Sequence, residues 1–242
     1  MRYLLRAELF KVKKDVSLWV IPTILICCAC ISIFTGVYTS AENACLCLGK
    51  DYMIMILAHA IYAGLTLTNE FTNRTIIHVL AYGNKRFHFL VAKIFHYILG
   101  CTVIIISYMM ISTMIAAWRL GVDTSLLNLF VYLGFRLILS IPLYWAISSI
   151  FLFIAFIIRK GAMTMGISVA FSIIGVVFTN KAYYAASIPS KSLFHYLPTI
   201  QFSMIFENKF SFGNYLDSLL LSVFATFICC CGSLVALHKS EL

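Results

Sequence analysis

Apolar runs separated by short polar stretches dominate this sequence. The runs 16–38, 52–68, 91–118, 126–158, 164–179 and 215–237 carry at most one charged residue each. A helix of about 20 apolar residues crosses a hydrocarbon core of about 30 Å, so six transmembrane helices are predicted. Ahead of the first run, Leu5, Leu9 and Val12 recur at helical spacing, while Arg2, Arg6 and Lys13 fall on another face. That pattern predicts an amphipathic entry helix over 1–15, lying in the headgroup plane. The 16–38 run is longer than the h-region of a signal peptide, about 7–15 residues. Residues 39–50 read as a polar loop. The 126–158 run outlasts a single crossing at about 1.5 Å per residue, and Arg136 and Pro142 interrupt it. An interfacial lead-in followed by a span from about Gly134 is expected there. Residues 159–163 read as a tight turn. The 164–179 run is short, which suggests a broken or re-entrant end. The longest polar connection, 180–214, is expected to be extracellular or re-entrant.

Composition agrees with this plan. Of 242 residues, 62% are hydrophobic and 11% charged, whereas soluble proteins carry about 25% charged residues. The chain reads as a single all-α integral membrane domain, 1–242. A formal net charge of +9 raises the question of nucleic acid, but the cations flank apolar runs. They concentrate in 2–14, 74–93 and 159–160, with Lys239 behind the last run. By the positive-inside rule, these segments and both termini are cytoplasmic, and membrane lipids rather than nucleic acid are the partners of the basic residues. The nine cysteines fall mostly inside apolar runs, where thiols act as small hydrophobes. None forms a zinc pattern, and no metal is expected. Phosphate loops, H-E-x-x-H, G-x-S-x-G and paired intramembrane aspartates are all missing from the sequence, which makes an intramembrane enzyme the weakest reading.

Most of the polar chemistry in the first half lies in NEFTNRTIIHVLAYGNKRFHFL, residues 69–90. Thr72 or Asn73 suits a helix N-cap. Ile76, Val79 and Leu80 form one apolar stripe, and Gly83 suits a left-handed helix stop. Asn84 suits a second cap, but Lys85 and Arg86 then open a helix where its dipole disfavours cations. These two are therefore expected to meet phospholipid headgroups or an acidic partner surface. Two readings follow: a short helical lever that passes a push from a cytosolic partner into spans two and three, or an ordinary cytosolic loop.

This stretch resembles the first cytoplasmic coupling segment of type-2 ABC exporter permeases. The family's acidic residue, turn, apolar-to-glycine stretch, basic pair and entering lysine fall on Glu70, Asn73–Arg74–Thr75, Val79–Leu80–Ala81–Tyr82–Gly83, Lys85–Arg86 and Lys93. Residues 7–20, with Glu8, Lys11, Lys13 and Lys14, are similar to the family's entry helix. Residues 194–202, with Pro198, are similar to the segment before its last span. Asn73 stands where many members carry glycine. The resemblance implies six spans, cytoplasmic termini, and a dimer with a second permease copy or paralogue. It also implies a separate ATP-binding cassette subunit that binds ATP and Mg, so that this chain holds no cofactor and is not itself an enzyme. The implied coupling residues are Glu70, Asn73, Arg74, Thr75, Leu80, Tyr82, Gly83, Lys85 and Arg86. Likeness to small permeases of Gram-positive bacteria implies export of antimicrobial or cytolytic peptides, or other amphipathic and lipophilic cargo, across the cell membrane. The alternative is an ATPase-independent immunity or sensor protein.

Within the spans, ionisable groups are costly and face the bundle interior or water. His59, with Thr66 and the aromatics Phe171 and Phe178, lines a substrate path, or else His59 is a neutral imidazole bonded to a neighbouring helix and the aromatics belt the membrane interface. Arg136 meets headgroups, or pairs with Asp123 or Asp217. Glu70 pairs with Arg6, Lys13 or Arg74. Ala162, Gly166 and Ala170 recur every four residues, a spacing that lets helices approach closely, either within the subunit or across a dimer.

Overall fold

The computed structural model describes residues 2–72, 86–123, 125–185, 197–206 and 212–238. Among these residues the chain is helical throughout, without strands: α1 (Arg2–Lys14), α2 (Ser17–Phe34), α3 (Ala41–Lys50), α4 (Tyr52–Thr66), α5 (Asn69–Thr72), α6 (Arg86–Leu120), α7 (Leu126–Ile158), α8 (Gly161–Ala185), α9 (Pro198–Phe206) and α10 (Phe212–His238). Five of them, α2, α6, α7, α8 and α10, are long and apolar enough to cross a membrane, and the bent pair α3–α4 makes a sixth if counted as one span.

Helix α7 packs along α10, α4 along α8, and α2 along α6; α7 also touches α4, α6 and α9. The centre is aromatic and aliphatic: Tyr62, Tyr97, Phe151, Phe156 and Phe202 are all nearly sealed from solvent. The outer faces carry exposed Trp19, Ile24, Ile31, Ile174, Phe178, Phe224 and Phe227. An apolar exterior around a packed interior is the surface a bilayer requires.

Residues 39–50 are a helix rather than a polar loop. Ser40 is extended (φ −146°, ψ 169°) and its hydroxyl accepts from the Asn43 N–H at 3.3 Å, an N-cap. Ala41, Ala44, Cys45 and Leu48 then form a buried stripe at helical spacing. The first turn is held from outside as well: Ala41 N–H donates to Gly121 O at 3.2 Å, and Glu42 Oε2 accepts from Asp123 N at 3.2 Å. Helix α3 meets α4 at 54°. The 15 residues of α4 reach only about 22 Å, short of the roughly 30 Å core, so α3 supplies the missing length or folds back over it.

Two other expectations are corrected. The 126–158 run does not break near Gly134; α7 is continuous for 33 residues. Pro142 removes a helix donor, and the adjacent ladder is supported from α10, where Tyr215 OH donates to Leu139 O at 3.0 Å. The fifth run is not short either, because α8 continues to Ala185 for 25 residues. The 180–214 connection contains a further helix, α9, whose Ile200, Phe202, Ile205 and Phe206 are buried. It packs on α7 and α3.

Candidate functional site

One end of the bundle gathers most of the chemistry. Helix α1 turns an acid towards the bundle within a partly apolar face: Glu8 is 4% exposed between the half-buried Leu5 and Val12, while Leu9 and Phe10 are 41% and 57% exposed. Glu8 Oε2 lies 2.8 Å from Lys93 Nζ and 3.0 Å from His96 Nδ1, both on α6, and Oε1 accepts from Lys11 Nζ at 2.9 Å. Lys93 and His96 are themselves buried. The His96 ring reaches towards Asp15, with Nε2 3.9 Å from Oδ2. Asp15 also starts α2, accepting from Ser17 N–H at 3.0 Å and Ser17 Oγ at 2.6 Å. Burial pushes the Glu8 carboxyl up, but the His96, Lys93 and Lys11 contacts outweigh it and hold it at about 2. Burial likewise raises Asp15, and His96 and Ser17 bring it below the usual carboxylate range. The α1–α6 joint is therefore a charged lock, with Lys93 as a counter-ion of Glu8.

Two arginines converge on the end of α10 at the same end of the bundle. Arg86 Nη1 donates to Leu237 O at 3.1 Å, and Arg159 Nη2 donates to Ala236 O at 2.8 Å. Cations beside the unpaired C-terminal carbonyls of a helix are favourable. Arg86 is half-exposed, and the Nη1 edge of its guanidinium caps α10. Arg159 follows α7 in the left-handed region at φ 59° and also donates from Nε to Phe156 O at 3.1 Å. A side chain costs about 1 kcal/mol or more in that conformation, so the carbonyl bonds offset the strain. Arg159→Gly removes the bonds and the strain together, whereas Arg159→Ala removes only the bonds. The alanine variant is expected to be the less stable of the two by about 1 kcal/mol, read from paired unfolding curves in detergent.

Of the sequence-predicted coupling residues, Asn73, Arg74, Thr75, Leu80, Tyr82, Gly83 and Lys85 lie outside the described residues, as does the side chain of Glu70, which sits on α5. Arg86 opens α6.

In the middle of the bundle, His59 on α4 is sealed (0% exposed) and its Nδ1 is 3.1 Å from Ser148 Oγ on α7. Tyr97 of α6 donates to His59 O at 3.0 Å, and Tyr144 packs edge-on against the imidazole with 5.5 Å between centroids. His59 thus joins three helices, as the second sequence reading expected. The Ser148–His59 pair is a hydroxyl beside an imidazole, and both residues are fully buried. Thr66 closes α4 with its hydroxyl on Tyr62 O at 2.7 Å.

A half-open cavity of about 260 Å³ lies between α4, α7, α8, α9 and α10. Phe171 lines it; His59 and Phe178 are not among its lining residues, and Phe178 points outward at 61% exposure. The stripe Ala162, Gly166, Ala170 is exposed, so packing within the subunit is not its role. The inward face of α8 is instead Thr164, Ser168, Ser172 and Thr179, offset from the small residues by two positions, about 200° around the helix. The tight α8 contact uses other glycines: a Cβ on Gly64 of α4 would come within 3.1 Å of Gly161 O. Arg136 was also misread from sequence. It is 4% exposed, bonds the Tyr132 hydroxyl one turn back, and lies over the Tyr132 and Phe206 rings at 4.0 Å and 5.5 Å. Aromatic faces attract a guanidinium in this way.

These features define an all-helical, multi-pass membrane protein whose ion pairs, among the described residues, gather at one end of the bundle, with further polar groups in sealed knots between helices. No family model matches the chain, and no curated protein sequence matches it.

Proposed function

We propose that the chain is the membrane-spanning permease subunit of an ATP-driven exporter, working with a separate ATP-binding cassette subunit and moving amphipathic cargo, peptides foremost, out of a bacterial cell. The observation that carries this reading is a convergence at one end of the bundle. The α1 lock, the start of α6, the α7–α8 turn and the tail of α10 gather there, Phe71 of α5 packs on Phe156 and under Arg159, and residues 73–85 lie between α5 and α6 in the sequence. A force applied to 73–85 reaches α6 directly, and through the Arg86 cap it reaches α10. In this reading both termini are cytoplasmic, the chain crosses the membrane six times, the ATPase grips the 69–90 segment, and its ATP and Mg stay on the partner. ATP turnover would bias the bundle between two arrangements, which requires different contacts with the partner in each. The exposed Ala162, Gly166 and Ala170 stripe would face the second permease copy.

The test is affinity purification of the tagged chain from its native host in mild detergent, followed by ATPase assay in vesicles. An ATP-binding subunit should co-elute in stoichiometric amount. Arg74→Glu or Gly83→Pro should leave ATPase turnover while transport is lost. Full function from the chain alone would instead establish the stand-alone immunity or sensor protein.

A further inference from the structure

The cavity between α4, α7, α8, α9 and α10 has a chemistry of its own. Its back wall is Ile56, Ile147, Phe151 and Val176, all buried, and its mouth lies between Phe171 of α8 and Leu221 of α10, which are 48% and 44% exposed. The two α8 hydroxyls that reach it are turned away into their own helix: Ser172 Oγ donates to Ser168 O and Thr179 Oγ1 to Gly175 O, each at 2.7 Å. The cavity is therefore almost bare of hydrogen-bonding capacity. Water held in a cavity needs two to four polar partners, and an apolar cavity of about 150 Å³ already stays dry and takes up benzene. This one is about 260 Å³. Its mouth opens beside Ile174 and Phe224, which belong to the exposed apolar faces of α8 and α10, so the medium that reaches it is hydrocarbon. A charged group or a peptide backbone entering it would give up water bonds without replacement.

We propose that this cavity is a binding pocket for one hydrocarbon chain, an acyl chain of a membrane lipid that enters sideways between α8 and α10 while its headgroup stays outside. The pocket belongs to the chain on its own and does not rest on the transport reading.

The test uses the full chain in phosphatidylcholine vesicles doped with phosphatidylcholine bearing a diazirine midway along one acyl chain. Irradiation and peptide mass spectrometry should find adducts enriched at Ile147, Val176 and Leu221 over Phe224 and Phe227, which are at least as exposed as the mouth. A Cβ on Gly175 meets nothing within 4 Å, so Gly175→Leu should fold and fill the space, dropping the pocket adducts to the level at Phe227. The same lipid with its diazirine on the headgroup should not label the pocket. Even labelling of pocket and outer faces, adducts unchanged in Gly175→Leu, or equal labelling from the headgroup probe would each overturn the proposal. Should Gly175→Leu fail to fold, the comparison of mid-chain and headgroup probes on the unaltered chain decides it.

Discussion

Replacing Glu8 with alanine is expected to undock α1 and to lower stability by on the order of 3 kcal/mol, the cost of leaving one partner of a buried ion pair without the other. The carboxylate is held at about 2 instead of its ordinary 4.5, and a shift of that size corresponds to a similar free energy. On the scale of soluble domains this is a fall of roughly 6–12 °C in the unfolding midpoint, readable by thermal shift in detergent, with faster proteolysis after α1. Lys93 and His96, both about 5% exposed at the side chain, would then lose the carboxylate they share. The double variant Glu8→Leu with Lys93→Met should recover most of the loss, because an apolar pair of similar volume avoids desolvating two charges. A double variant as unstable as the single one would show that Glu8 acts by some means other than its charge. The pH dependence has a definite sign. A carboxyl whose folded pKa is depressed stabilises fully above its ordinary value and loses that contribution as pH falls towards the folded one. The carboxylate's contribution to α1 docking should therefore weaken as pH falls between about 4.5 and 2, with Asp15, also lowered, moving in the same direction.

Gly100→Ala is expected to be the most damaging single methyl addition in α6. An added Cβ would fall 2.2 Å from the Tyr62 hydroxyl oxygen and 2.4–2.5 Å from its ring carbons. Tyr62 has nowhere to go: it is 0% exposed, stacks on Tyr97 at 5.8 Å and reaches Asp15 Oδ2 with its hydroxyl at 3.4 Å. Overpacking of this kind costs about 1–3 kcal/mol, and the shift would also disturb Asp15 and so the start of α2. The control is Gly134→Ala in α7, where a Cβ meets nothing within 4 Å. There the better helix propensity of alanine should stabilise by up to about 1 kcal/mol. Equal behaviour of the two variants in unfolding experiments would refute the close approach of α6 to Tyr62.

The apolar runs were sufficient to locate the long helices, because a bilayer demands about 20 consecutive apolar residues and tolerates few interruptions. The entry helix was legible for the same reason: periodicity of 3.6 is a local property. Helix α3 was legible too, in Ser40 three residues before Asn43 and in Ala41, Ala44, Cys45 and Leu48, but the surrounding polar residues obscured it. Length arithmetic misled for α7, since a helix may extend past the hydrocarbon when others cover it, and Arg136 found aromatic faces on Tyr132 and Phe206 rather than the headgroups or the carboxylate of Asp123 or Asp217 expected from sequence.

Composition and hydrophobic pattern alone determined that this is a multi-pass, all-helical membrane chain with its cations massed on a few short segments. Only the tertiary structure decided which of those ions are spent on the protein itself: Glu8 against Lys93 and His96, Arg86 and Arg159 on the carbonyls of α10, His59 on Ser148. It also decided that the small residues of α8 face outward and its hydroxyls inward. The physical reason is range. Solvation preference is carried by each residue and its near neighbours, whereas a charge pair, a helix cap or a cavity is made by residues up to 151 positions apart, whose meeting depends on how whole helices pack.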